Sequence, residues 1–239
     1  MNPRALEVIH AGVVPYAQAL EWQRRLAAER VAGTRGHDTL LLLEHPPVIT
    51  LGRGSHAEHV LRPDGVEMFE VERGGDVTFH GPGQLVGYPI LDLSQHRRDL
   101  HWYLRTLEAT LIAALDRLGI PAERRDGLTG VWTRGRKIAS LGVHVKQWVT
   151  WHGFALNVST DLSSFGRIVP CGITGVEMTS VERELGSADW DAAVNAVVRA
   201  FETTFELVAV RAGPSELVTR HLPVNGRVSA LAESAEPRL

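Results

Sequence analysis

One cysteine, Cys171, is all the thiol chemistry that this 239-residue chain has. A single thiol closes no disulfide within the chain and builds no thiolate metal cluster, so a bridged scaffold and a zinc knuckle are both excluded. Net charge is scarce too. The 25 Lys and Arg against 28 Asp and Glu leave a formal charge of -3, which argues against a general nucleic-acid binder. No apolar run reaches the roughly 18 residues of a membrane span, and MNPRALEVIHAG lacks the apolar stretch of a secretion signal. A cytoplasmic protein with no membrane partner is the expectation, and a reducing compartment keeps a lone thiol available for chemistry. There is no internal repeat and no low-complexity tract.

With 44% hydrophobic residues the chain can bury a full core, and no composition break divides it. Residues 1–224 read as one domain, and NGRVSALAESAEPRL, 225–239, reads as a loosely attached tail. Apolar positions switch between helical and strand periods along the chain. PYAQALEWQRRLAAERVAG predicts a helix between Pro15 and Gly33. TLLLLEH and VITLGR predict strands parted by Pro46 and Pro47, and FEVERGGDVTFHGPGQLVGYPILDL predicts three strands joined by glycine turns. DLHWYLRTLEATLIAALDRLG is the longest helical pattern, and it is followed by strand runs in GVWTR, KIASLGVHVK and TWHGFALNV. Thr179 and Glu182 fit a capping box before a short helix ending near Gly186, and DWDAAVNAVVRAFETTFE predicts a further amphipathic helix. Strands in groups with helices around them point to an α+β or mixed α/β domain.

Four segments concentrate the unusual residue usage. RGGDVTFHGPGQ, 73–84, sets four glycines and a proline among strand residues, which lets backbone amides approach a ligand or forms a pair of hairpin turns. It lacks the Gly-Lys-Ser/Thr of a Walker loop, and no helix follows it as the dinucleotide fingerprint requires. In GRKIASLG, Lys137 opens a strand of apolar and small residues, as an edge lysine or as a cation held beside an acyl group. HGFALNVSTDL places His152, Gly153 and Asn157 in a strand. His80, His144 and His152 share no metal-ligand spacing, so no metal site is expected. In GRIVPCGITG, Pro170 stiffens the chain before Cys171 and Gly172 lets another group come close. That context favours a presented nucleophile over a packed thiol.

Taken in order, RGGDVTFHGPGQLVGYPILDL, TGVW, RKIASLGV, HGFALNV and FGRIVPCGITG resemble the lipoyl(octanoyl) transferase family, over roughly residues 40 to 183. The resemblance implies an α+β fold like the catalytic domain of biotin and lipoate protein ligases, one domain with a mixed sheet flanked by helices. It implies transfer of an octanoyl group from acyl carrier protein to an enzyme cysteine, then to a lysine amine of a lipoyl domain. Cys171 would be the nucleophile and Lys137 the residue that favours its thiolate, since a free thiol near pKa 8.5 is only about a few per cent ionised at pH 7. Arg73, Gly74, Gly75, Asp76, Val77, Thr78, Phe79 and His80 would line the acyl pocket, completed by Ser140, Leu141, Gly142, Gly153, Phe154 and Ala155. Small residues such as Ala139, Gly142, Gly153 and Ala155 would make room for the acyl chain, and His80 or backbone amides would hold the thioester oxygen.

No cofactor is implied. The implied partners are octanoyl-acyl carrier protein, the lipoyl domains of 2-oxoacid dehydrogenase complexes and the H protein of glycine cleavage, with the enzyme a monomer. Arg73, Arg134, Arg136, Arg97 and Arg98 are the candidates for a basic patch that meets acidic carrier domains. Three alternatives stand beside this reading: an ATP-dependent lipoate or biotin ligase, a cysteine hydrolase, and an inactive carrier-binding module.

Overall fold

The computed structural model describes residues 4–172 and 175–218, so the 225–239 tail lies outside the described residues. The strands are β1 (Arg4–Val13), β2 (Asp38–Glu44), β3 (Val48–Leu51), β4 (Glu67–Glu70), β5 (Val77–His80), β6 (Gln84–Ile90), β7 (Glu123–Arg125), β8 (Leu128–Thr133), β9 (Arg136–Lys146), β10 (Val149–Asn157) and β11 (Leu207–Ala212). The helices are α1 (Tyr16–Val31), α2 (Leu100–Arg117), α3 (Val181–Leu185), α4 (Trp190–Phe205) and α5 (Ser215–Val218). Eight strands form one sheet in the order β11-β1-β2-β6-β10-β9-β8-β7, and β4-β3-β5 form a second. The large sheet is mixed: β11, β1 and β2 run parallel, while every pairing from β2 to β7 is antiparallel.

The run of four leucines in β2 shows how the layers are made. Side chains alternate across a strand, so Leu40 and Leu42 join the core under α2 and α4 while Leu41 and Leu43 join the core under α1. Helix α4 buries Ala193, Val197, Ala200 and Phe201, the spacing of one helical face. The side chains of Asp99 and Asp189 cap α2 and α4, accepting from Trp102 N at 3.0 Å and Ala192 N at 2.9 Å.

Three strands were not legible as such. β1, β7 and β11 carry weak alternation, and β1 and β11 pair only with partners far away in sequence, so long-range pairing rather than local pattern makes them strands. The two strands flanking the Pro46–Pro47 pair belong to different sheets. The cap of α3 is Ser180, whose hydroxyl accepts from Arg183 N at 3.2 Å; Thr179 turns inward and donates to Glu184. No described helix is long and apolar enough to cross a membrane.

Candidate active site

Where the small sheet meets β9 and β10, a cavity of about 240 Å³ opens beside Cys171. Cys171 sits in a short 3₁₀ turn at φ 56° and ψ 23°, a left-handed conformation uncommon for a residue with a Cβ. The turn is held from outside. Val169 N donates to His59 O at 2.8 Å, and Leu61 N and Arg62 N both donate to Arg167 O.

Lys137 is fully buried. Its backbone is stitched to the segment after the cysteine turn, with Lys137 N donating to Glu177 O and Thr179 N donating to Lys137 O at 2.8 and 2.9 Å. This places Nζ 3.1 Å from Cys171 Sγ, although 34 residues part the two. Gly130, at φ 142°, makes the space: a Cβ there would stand 2.6 Å from Lys137 Cε.

Arg73 is also buried, and its guanidinium donates to Thr50 Oγ1, Thr50 O and Gly74 O, all neutral acceptors. Gly142 gives it room, since a Cβ there would stand 3.0 Å from Arg73 Cδ. His80 stacks on Tyr16 and donates from Nδ1 to Gln84 Oε1 at 2.7 Å, the amide being oriented by its own donation to Asn157 Oδ1. Burial pushes the His80 ring down to about 3 and Tyr16 up to about 12, so both are neutral near pH 7. With its proton on Nδ1, His80 has no ring donor left for a thioester oxygen, contrary to expectation.

Of the residues expected to line the pocket, Arg73, Gly75, Asp76, Thr78, His80, Ser140, Leu141, Gly142, Gly153, Phe154, Ala155 and Cys171 do so. Val77 and Phe79 do not, because alternation along β5 sends them into an apolar cluster with Ile49, Phe165 and Ile168. Gly74 is occupied in donating to Val143 O at 2.9 Å. Ala139 packs into the main core, and the space beside Gly153 belongs to β6, since a Cβ there would stand 2.2 Å from Gly87 O. Of the expected basic patch, Arg73 is buried, Arg136 pairs with Glu184, Arg134 and Arg97 pair with Glu184 and Asp99 while staying exposed, and Arg98 is exposed with no ion pair among the described residues. Tyr16, Tyr88 and residues 127–129 also line the cavity; Tyr16 stands far in sequence from the glycine-rich motifs, which hid it.

The model of the lipoyl protein ligase A/B catalytic domain matches residues 15–206. The chain belongs to this family. It is 61% identical over 168 residues to an octanoyltransferase of Gloeobacter violaceus, covering 70% of this chain and 76% of that protein. It is 48% identical over 210 residues to an octanoyltransferase of Synechococcus elongatus, covering 87% and 90%. Among solved structures, a lipoate-protein ligase A bound with ATP superposes with a TM-score of 0.74 at 17% identity, covering 90% of each chain. At that identity the likeness shows the shared fold of this family, an α+β domain with its mixed sheet flanked by helices.

Proposed function

We propose that this member of the lipoyl protein ligase A/B family is an octanoyltransferase that works through a Cys171 thioester. The observation that carries the reading is the 3.1 Å contact between Lys137 Nζ and Cys171 Sγ at the mouth of a small cavity. The octanoyltransferases to which the chain is 48 to 61% identical support the acyl group. A cavity of about 240 Å³ lies below the range of drug-sized pockets and suits a short unbranched chain.

In the first half-reaction the Cys171 thiolate attacks the carbonyl carbon of octanoyl-acyl carrier protein. The bond from carbon to the carrier sulfur breaks, and the Lys137 ammonium gives its proton to the departing thiolate. One thioester replaces another, so no ATP is consumed. In the second half-reaction a lysine amine of a lipoyl domain attacks the Cys171 thioester. The C–Sγ bond breaks, and Lys137, now neutral, takes one proton from the attacking nitrogen, which restores the ammonium–thiolate pair. Lipoyl domains of 2-oxoacid dehydrogenase complexes and the glycine cleavage H protein are the proposed acceptors, met by a cytoplasmic monomer.

The test is mass spectrometry of the protein mixed with octanoyl-acyl carrier protein, without ATP or acceptor. The expected product carries one octanoyl group on Cys171, labile to hydroxylamine, and Cys171→Ala gains none. The chain has only two lysines, Lys137 and Lys146, so amide acylation of the enzyme itself is checked at two positions. Acylation that requires ATP, or that survives in Cys171→Ala, would replace this reading by a ligase mechanism.

A further inference from the structure

Counting protons across the proposed reaction leaves one without an acceptor. A lysine side chain arrives as an ammonium, with an ordinary pKa of about 10.4, and cannot attack until it loses a proton. The tetrahedral nitrogen then loses a second. Lys137 returns from the first half-reaction neutral by one proton, so it takes one of the two, and a second base must take the other.

We propose that Asp76 and His59 form that second base, with Asp76 receiving the acceptor ammonium and His59 carrying its proton to solvent. Asp76 is the one carboxylate on the cavity wall among the described residues. Its Oδ1 accepts from Val77 N at 2.7 Å, and its Oδ2 lies 2.6 Å from His59 Nδ1. That contact puts the ring proton on Nδ1 and leaves Nε2 as the free base. Both residues press on the cysteine turn: a Cβ built on Gly172 would stand 2.3 Å from Asp76 Oδ2 and 3.1 Å from His59 Cε1. Glycine at 172 is what allows the pair to sit against the residue next to the nucleophile. The His59 side chain is 23% exposed and that of Asp76 is 11% exposed, so the pair spans from the cavity wall to water.

The other titratable groups on the wall are unsuited. Burial lowers His80 and His152 as bases and keeps Tyr16 and Tyr88 protonated, and Arg73 is already a cation. The step balances: Asp76 attracts the acceptor ammonium as it enters past the His59 ring, its proton goes directly to Nε2, and the resulting amine and imidazolium part, the imidazolium releasing that proton to solvent. The amine attacks, and the second proton goes to Lys137.

This inference rests on the octanoyltransferase reading, and half-reactions separate the two. Octanoyl-enzyme is formed from octanoyl-acyl carrier protein with wild type, His59→Gln and Asp76→Asn, then split between a purified lipoyl domain and hydroxylamine. Hydroxylamine is largely unprotonated at pH 7 and needs no base to become a nucleophile. In His59→Gln, Cys171 acylation and hydroxylamine cleavage should stay within about threefold of wild type, while transfer to the lipoyl lysine falls by about 10²–10⁴. In Asp76→Asn, transfer to the lipoyl lysine should fall by a similar factor relative to that variant's own hydroxylamine cleavage. An equal loss with both amines, or loss of Cys171 acylation, would mean that the pair only shapes the turn and would overturn the proposal. Undiminished transfer to the lipoyl domain would overturn it too. Failure of the wild type to acylate Cys171 would instead overturn the function on which it rests.

Discussion

Replacing Lys137 by methionine removes the ammonium but keeps an unbranched side chain that fits the slot beside Gly130. At the 3.1 Å separation of Nζ and Sγ, unit charges attract by about 5 kcal/mol at an effective dielectric of about 20. Desolvation of the buried ammonium and the part-buried thiolate offsets several kcal/mol of this. A remainder of about 1 to 3 kcal/mol corresponds to about a five- to 150-fold change in the thiolate population at neutral pH. Iodoacetamide reports the thiolate directly, because the thiol is unreactive by comparison. The alkylation rate at pH 7 should therefore fall by one to two orders of magnitude in Lys137→Met. Lys137→Arg keeps a charge that does not deprotonate in the working range. It should alkylate faster than Lys137→Met at pH 7 yet transfer octanoyl to a lipoyl domain poorly, since a guanidinium cannot take the amine's proton. An alkylation profile unchanged in Lys137→Met would refute the electrostatic reasoning and leave Cys171 activated by another group.

Gly130→Ala should lower octanoyl transfer by tenfold or more in steady-state assays, because its Cβ would meet Lys137 Cε at 2.6 Å and φ 142° strains any L side chain. Gly153→Ala should act on stability, with overpacking of about 1–3 kcal/mol against Gly87 O lowering Tm by about 3–10 °C in a calorimetric scan, and with acyl chain-length preference unchanged. Burial lowers His45 to about 4, so its native state binds fewer protons than the unfolded chain between about pH 6.5 and pH 4. Stability from this group is present above about pH 6.5 and is lost as pH falls through that window, by about 1.4 kcal/mol per pH unit. Denaturation of His45→Gln across that range should show a correspondingly shallower acid slope than wild type.

The local patterns were legible because each is written within one element. The helical periods of α2 and α4 and the strand run of β2 all follow from neighbours a few residues apart, whereas the cap of α3 is Ser180, one residue after the expected Thr179. So did the chemistry of the site in outline: a lone cysteine between Pro170 and Gly172, a lysine opening a strand of small residues, and a glycine-rich stretch from Arg73 to His80 already restrict what the chain can do. Composition had also removed disulfides and thiolate metal clusters before any fold was considered.

Tertiary structure decided which of those residues meet. Lys137 reaches Cys171 only because β9 pairs its backbone with residues 177 and 179, which draws the cysteine turn across its side chain. The alternation of β5 was readable, but which of its faces meets the cavity was set by the packing of the small sheet against Phe165 and Ile168. Glycines that read as space for a ligand turned out to be space for Arg73 and for β6, because an absent Cβ says that something comes close and not what it is. The His59–Asp76 contact spans 17 residues, and no local period marks such a pair. Sequence thus specified residue chemistry and local conformation, whereas long-range pairing alone set the distances on which reactivity depends.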